Sequence, residues 1–365
     1  MPSPRPAKRP APRSERSERN ELLANVAAMY YQEDMLQEAI ARRVGVTRSM
    51  VSRLLSEARQ RGIVEVRIHR PLQFDGDLAA ELVSRFGMQE AQVVVVPEDG
   101  NERLLEKLGQ AAAGVLKGYL ASSRILGVTW GTAIRAVVDA LEGDAPFSLK
   151  VVQLGGAGQS RIRDYDGHAL VQRVVQKLGG EAFYLNAPLI VENARTAELL
   201  LSHRAIRETI ELGRQCDVAV LGVGSTDPRY STLYHAGYFT LDELKNMIEA
   251  GAVGNVCGLH FNLRGEPTSP EFDRRLVSLR RQDLLGIPIR LGVAGGRGKA
   301  RALLGALRGG YVNVLVTDNL LVGELLRLDK EAKPLAGRRV PRDGGARDVG
   351  GGIANRMPRR SRLPR

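Results

Sequence analysis

Between residues 91 and 328, short apolar runs alternate with longer amphipathic segments, and this alternation limits the possible folds more than any other feature. The runs at 91–96, 124–128, 149–154, 181–185, 217–222, 256–261, 287–293 and 312–316 are rich in Val, Leu and Ile and predict β-strands. The intervening segments 102–120, 132–141, 167–178, 205–214, 241–250, 299–307 and 318–328 space their apolar residues for helices. A strand that is apolar at successive positions must be buried on both faces. Helices between the strands supply that cover, so a mainly parallel α/β sheet is expected. In such sheets ligands bind beyond the carboxyl ends of the strands.

Before residue 71 the pattern is helical and contains a second constraint, at residues 36–55. Ala41 is small enough to let two helices cross closely, and Gly45 stands where a tight inter-helix turn needs positive φ. Val51, with Ile40, Val46, Leu54 and Leu55, completes an apolar side. Thr47 is placed to cap the second helix. The remaining face of that helix carries Arg48, Ser49, Ser52 and Arg53, and Gln37 opens the helix before it. A helix-turn-helix with such a face fits the DNA major groove, where Arg pairs with guanine and Ser meets bases or phosphate. Gln37, Thr47, Arg48, Ser49, Ser52 and Arg53 are therefore the candidate contacts to double-stranded operator DNA. A helical hairpin used only for packing is the alternative. Gly62 reads as a helix end and 63–68 as a short strand, either a wing or a connection.

The expected organisation is a disordered basic arm at 1–14, an all-α helix-turn-helix domain at 15–70, an α/β domain at 71–330 and a disordered basic tail at 331–365. The two tails hold +4 (residues 1–20) and +7 (residues 331–365) of a net charge of +12, so the long middle is near neutral. Basic tails attract polyanions by counterion release, or simply keep the chain soluble. Cys216 and Cys257 are too few and too far apart for a disulfide framework or a Cys-rich zinc site. The five histidines lack metal-ligand spacing. No apolar run approaches the ~18 residues of a membrane span, and the Pro/Arg-rich start lacks a signal core, so a cytoplasmic location is expected.

Residues 37–41, QEAIA, followed by 51–64, VSRLLSEARQRGIV, resemble the DNA-binding end of SorC-type (SorC/DeoR, sugar-binding) bacterial transcriptional regulators. Separate motifs agree in the same order: GVTWGT at 127–132, VQLGG at 152–156, LNAP at 185–188, GAVG at 251–254, VAGG at 293–296 with Lys299, and VTD at 316–318. The resemblance covers about residues 20–328. It implies an effector domain related in fold to ribose-5-phosphate isomerase and glucosamine-6-phosphate deaminase. It also implies a phosphorylated sugar as effector and a homodimer or homotetramer on DNA.

Glycine-rich turns follow four predicted strands, at 127–132, 155–160, 222–225 and 292–299. Successive amides in such turns cradle anions, above all where a helix begins. Thr129, Gly131 and Thr132 are the first candidates for phosphate, and the resemblance places ligand contacts at this turn. Gln153, beside Gly155 and Gly156, either meets a sugar hydroxyl or satisfies backbone. Lys299 matches a ligand-contacting lysine of the family; a solvated lysine is the plain alternative. Asn255 stands where the family usually has Asp or Glu facing the ligand, which leaves the identity of the sugar open. Some members carry lysine at the position of Gly155, so no covalent imine forms there in this chain.

The run GVAGGRGKA at 292–300 is one residue too long for a P-loop and lacks Ser/Thr after Lys299, and 222–225 is too short for a dinucleotide fingerprint. No cofactor is expected. Trp130 either stacks on a sugar or fills core, and the four-aromatic segment 226–239 reads as a lid or an oligomer contact. The reading is a ligand-gated repressor of a carbohydrate operon. A sugar-phosphate isomerase or deaminase with a DNA-binding appendage would need a carboxylate or histidine base that the nominated turns do not offer. A domain that only oligomerises would leave the glycine turns unused.

Overall fold

The structure is a computed structural model that describes residues 13–64, 71–97, 103–143, 148–158 and 166–331. The chain divides into two compact units, Met1–Pro71 and Leu72–Arg365.

The first unit has helices α1 (Arg13–Tyr31), α2 (Gln37–Val44) and α3 (Arg48–Gln60). Leu23, Val26, Ile40, Val51, Leu54, Leu55 and Ala58 are buried together and bind the three helices into one small core. Gly45 ends α2 in the left-handed region at φ +73°, and its surroundings are open, so conformation and not space selects glycine there. Thr47 caps α3 by accepting the Met50 amide at 3.3 Å. Residues 13 and 14, expected in a disordered arm, already belong to α1, and 1–12 lie outside the described residues. Ile63 and Val64 do not continue as a strand: their amides turn back to the Ala58 carbonyl. The rest of that expected strand, and the tail from 332, lie outside the described residues.

The second unit holds strands β1 (Glu90–Val94), β2 (Ile125–Val128), β3 (Lys150–Gln153), β4 (Glu181–Phe183), β5 (Val218–Gly222), β6 (Gly224–Ser225), β7 (Gly254–Val256), β8 (Leu259–Phe261), β9 (Ile289–Val293) and β10 (Val314–Asp318). Seven of them form one parallel sheet in the order β1-β10-β9-β5-β2-β3-β4. Two apolar clusters cover its faces, one including Val93, Leu154, Ala219 and Leu315, the other Val94, Val128, Val151, Val220 and Val293. Adjacent residues of single strands thus enter opposite clusters, as strands apolar at every position require.

The expected strand at 256–261 is instead a hairpin. β7 and β8 are antiparallel, with Val256 opposite Leu259. Cys257 and Gly258 lie between them at φ +56° and +82°. A two-residue hairpin turn with both central φ values positive is the tightest way to reverse a strand. Together with β6 it makes a separate three-stranded sheet. Helices also form where none was expected, at Gly76–Phe86, capped by Asp75, and at Ala194–Ser202, capped by Asn193.

The topology selects one crevice. β2 leads outward to β3 and β4, whereas β5, paired with β2, leads the other way to β9 and β10. The order reverses between β2 and β5, and loops diverge from the carboxyl ends there.

Candidate functional site

Three of the four glycine turns meet at this reversal. The turns after β2, β5 and β9 line a cavity of about 50 Å³, together with Asn255, Cys257 and Gly258 of the hairpin and with Thr232 and Leu233. Thr129, Gly131, Thr132, Asn255 and Lys299 all line it. Gln153, Gly155 and Gly156 do not.

Gly131 adopts φ +125°, ψ 167° and directly precedes the helix Thr132–Ala140. Only glycine enters that region without strain. Thr129 ties two walls together: its hydroxyl donates to the Val220 carbonyl at 3.0 Å and accepts the Gly222 amide at 3.4 Å. Gly224 pairs across β6 and β7 with Asn255, and a Cβ there would come within 2.7 Å of the Asn255 amide nitrogen.

Lys299 and Asn255 are left without polar partners. Neither side chain makes a hydrogen bond or ion pair to any described residue. Burial holds the Lys299 ammonium below the usual lysine range. A partly desolvated cation with no partner among the described residues gains when an anion joins it. Its loop is fixed from behind by the fully buried Asp318 at the end of β10. One Asp318 oxygen accepts the Gly296 amide at 2.7 Å, and the other accepts the Leu321 amide at 2.9 Å. No carboxylate or histidine lines the cavity among the described residues. The Cys257 thiol is pushed up to about 12 by burial, so it enters the wall as a neutral group.

Gln153 is in a different situation. Its amide nitrogen donates to the Gly155 carbonyl at 2.8 Å and its oxygen accepts the Leu185 amide at 3.4 Å, so both ends of the side chain serve backbone. Gly156 donates to the Val277 carbonyl at 2.9 Å and leaves no room for a Cβ, which would fall 2.5 Å from the Ala187 carbonyl. The fourth turn is thus packed against segments 187–189 and 277–278; residues 159–160 lie outside the described ones.

Trp130, the single tryptophan, lines the cavity and packs on Tyr238 at 5.3 Å between centroids. Segment 226–239 is not an open loop. Ser231 caps the short helix Thr232–His235, and Leu233 and Phe239 are buried. Thr232, Leu233 and Cys257 are wall residues that the sequence reading did not nominate as ligand contacts, although 226–239 was read as a lid or an oligomer contact. The Ser-Thr pair at 231–232 was the available signal, as a helix start beside the site.

In the first unit, Thr47, Arg48, Ser49, Ser52 and Arg53 are exposed and Gln37 is half-buried. Thr47 and Ser49 share a hydrogen bond at 3.0 Å, and Arg48 faces Glu38 at 3.6 Å. An exposed pair of that kind contributes at most about 1 kcal/mol and yields readily to phosphate. Arg53 has no ion pair with a described residue. Five of the six candidates thus stand on the exposed face of α3 and its cap.

Residues 70–327 match the family model Sugar-bind, a sugar-binding domain. The "Deoxyribonucleoside regulator" of Bacillus subtilis (strain 168) is 31% identical over 82% of this chain and 96% of its own. The "Transcriptional regulator LsrR" of Enterobacter sp. (strain 638) is 33% identical over 84% of this chain and 93% of its own. The crystal structure of the full-length sorbitol operon regulator SorC from Klebsiella pneumoniae superposes with a TM-score of 0.64 at 26% identity, covering 85% of this chain and 99% of that one. These relatives are named as regulators and not as enzymes.

Proposed function

We propose that this chain, which belongs to the SorC-type family of sugar-binding bacterial transcriptional regulators, is a repressor of a carbohydrate-metabolism operon gated by a phosphorylated sugar. The observation that carries the proposal is Lys299: a half-buried lysine with no side-chain polar partner among the described residues, on the wall of a cavity that also presents the Gly131 turn, the start of the helix at Thr132 and no acid among the described residues. Phosphate supplies the missing counter-charge, the Gly131 and Thr132 amides and the Thr132 hydroxyl its hydrogen bonds. Asn255 both donates and accepts, and is suited to a sugar hydroxyl.

The output is carried by α3. Arg48, Ser49, Ser52 and Arg53 enter the major groove, Thr47 and Gln37 meet the flanking backbone, and the basic tails add non-specific attraction in the cytoplasm. Two half-sites require at least a homodimer. The sugar favours one arrangement of the protomers and so shifts the population able to span both.

The test combines two readouts on one protein. Deoxyribose 5-phosphate, sorbitol 6-phosphate and their unphosphorylated counterparts are screened by melting temperature and by Trp130 fluorescence. The hits are then added to a gel-shift assay on the DNA upstream of the gene. A phosphorylated sugar should raise the melting temperature, alter Trp130 emission and change the shift, while its unphosphorylated counterpart does nothing. Arg53→Ala should lose DNA binding and keep the ligand response. Turnover of the sugar, or equal effects of phosphorylated and free sugars, would contradict the proposal.

A further inference from the structure

The phosphate reading leaves unexplained a second, larger hollow. A cleft of about 630 Å³ opens beside the inner cavity and shares Thr132, Thr232 and Lys299 with it. The inner cavity, at about 50 Å³, has room for roughly three to five waters at the ~10–15 Å³ that each needs. That space suits a head group and not a sugar body. The outer cleft lies within the range of roughly 300–1,000 Å³ usual for small-molecule sites. A ligand with its phosphate against Lys299 must therefore extend its remaining atoms outward.

The outer wall is cationic. Arg103 and Arg297 line it beside the Gly295 and Gly296 backbone, and no carboxylate does among the described residues. Arg103 is largely exposed and faces Glu106 at 4.0 Å. Arg297 also adds to the electrostatic field at Glu324, a residue paired chiefly with Arg327. Tyr230 also lines the cleft. Its ring lies on Gly298, where a Cβ would fall 2.2 Å from the ring, and the Arg229 guanidinium sits 5.3 Å from the ring centroid. Planar guanidiniums bind carboxylate or phosphate in fork geometry.

Building on the sugar-phosphate reading, we infer that the effector is anionic at both ends: a sugar phosphate bearing a second phosphate or a carboxylate, whose second anion is bound by Arg103 and Arg297 in the outer cleft. The inner site fixes one phosphate, and the outer pair selects among sugar phosphates by what they carry at the far end. The charge of the outer end replaces the selectivity that an acid at position 255 would give.

Calorimetric titration of the full chain with sorbitol 6-phosphate, sorbitol 1,6-bisphosphate and 6-phosphogluconate tests this. One of the two doubly anionic probes should bind at least ten times more tightly than the monophosphate, and which one does so separates a second phosphate from a carboxylate. In R103Q/R297Q that preference should fall to within about twofold, and Arg103→Glu should reverse it, with the ligand-free melting temperature confirming that each variant folds. A monophosphate that binds as well as both other probes would overturn the inference and leave the sugar-phosphate reading standing. So would a preference that survives in R103Q/R297Q. Absence of binding by all three would overturn both.

Discussion

Lys299 and Gln153 both stand near the carboxyl edge of the same parallel sheet, and both were nominated as ligand contacts, yet their surroundings are opposite. Gln153 is fully spent on the Gly155 carbonyl and the Leu185 amide. Lys299 has no polar partner among the described residues, and burial lowers its affinity for a proton. Gly156 and Gly131 repeat the contrast: one is glycine because a carbonyl crowds it, the other because of its φ. A polar group whose bonds are complete stabilises the fold. One left incomplete beside a cavity is a place for a ligand.

Substitutions can sharpen or break this contrast. The largest effect is expected on the packed side. Gly156→Ala forces a methyl group against the Ala187 and Pro188 carbonyls, and should destabilise by roughly 1–3 kcal/mol or more in denaturant unfolding. Gln153→Leu leaves two buried backbone groups unpaired and should destabilise by roughly 2–3 kcal/mol, with ligand affinity changed less than threefold. A Gln153 variant of native stability that loses the ligand would erase the distinction. Lys299→Met should do the reverse, weakening phosphorylated ligand about 10–100-fold, the worth of a charge-assisted hydrogen bond, while the ligand-free protein melts no lower than wild type.

Two smaller effects follow. Asp318→Asn turns a donor toward the Gly296 or Leu321 amide, so the loop before Lys299 should loosen. Ligand affinity should fall about tenfold, the equivalent of about one hydrogen bond to a charged group, and measured DNA binding without ligand should not change. The pH dependence comes last. The lowered proton affinity of Lys299 means that the charged form is penalised in the folded state. That penalty is complete below its folded value and vanishes as the pH rises to the ordinary lysine range. Ligand affinity should therefore be greatest below the folded value and fall as the pH rises through it. Titrations up to the ordinary lysine range should show this fall in wild type and in Gln153→Leu, and no such fall in Lys299→Met.

The parallel sheet was legible because strands buried on both faces must be apolar at every position, as the cores 218–221 and 314–316 of two predicted strands are. Thr47 and Gly45 were legible because a cap and a left-handed turn have local chemical causes. The hairpin at 254–261 was not. Most of its residues are apolar, and the reversal needs positive φ at Cys257 as well as Gly258, although cysteine seldom takes it. At the site, the glycine turns after β2, β5 and β9 and the lysine after the last were visible in the sequence. Which turns would converge was not, because that depends on strand order. Residues 155–156 follow β3, one strand beyond the reversal, and are covered by segments far off in sequence. Thr232 and Tyr230 reach the site through a segment whose short helix is too brief to announce itself.

The most direct test titrates wild type and Lys299→Met, each bound to a fluorescent fragment of the DNA upstream of the gene, with the sugar phosphate that most raises the wild-type melting temperature. Both proteins should bind the fragment equally without ligand, and the sugar phosphate should change the anisotropy of the wild-type complex at concentrations that leave the Lys299→Met complex unaltered. An undiminished response in Lys299→Met would show that the anion is sensed elsewhere, and would contradict the account.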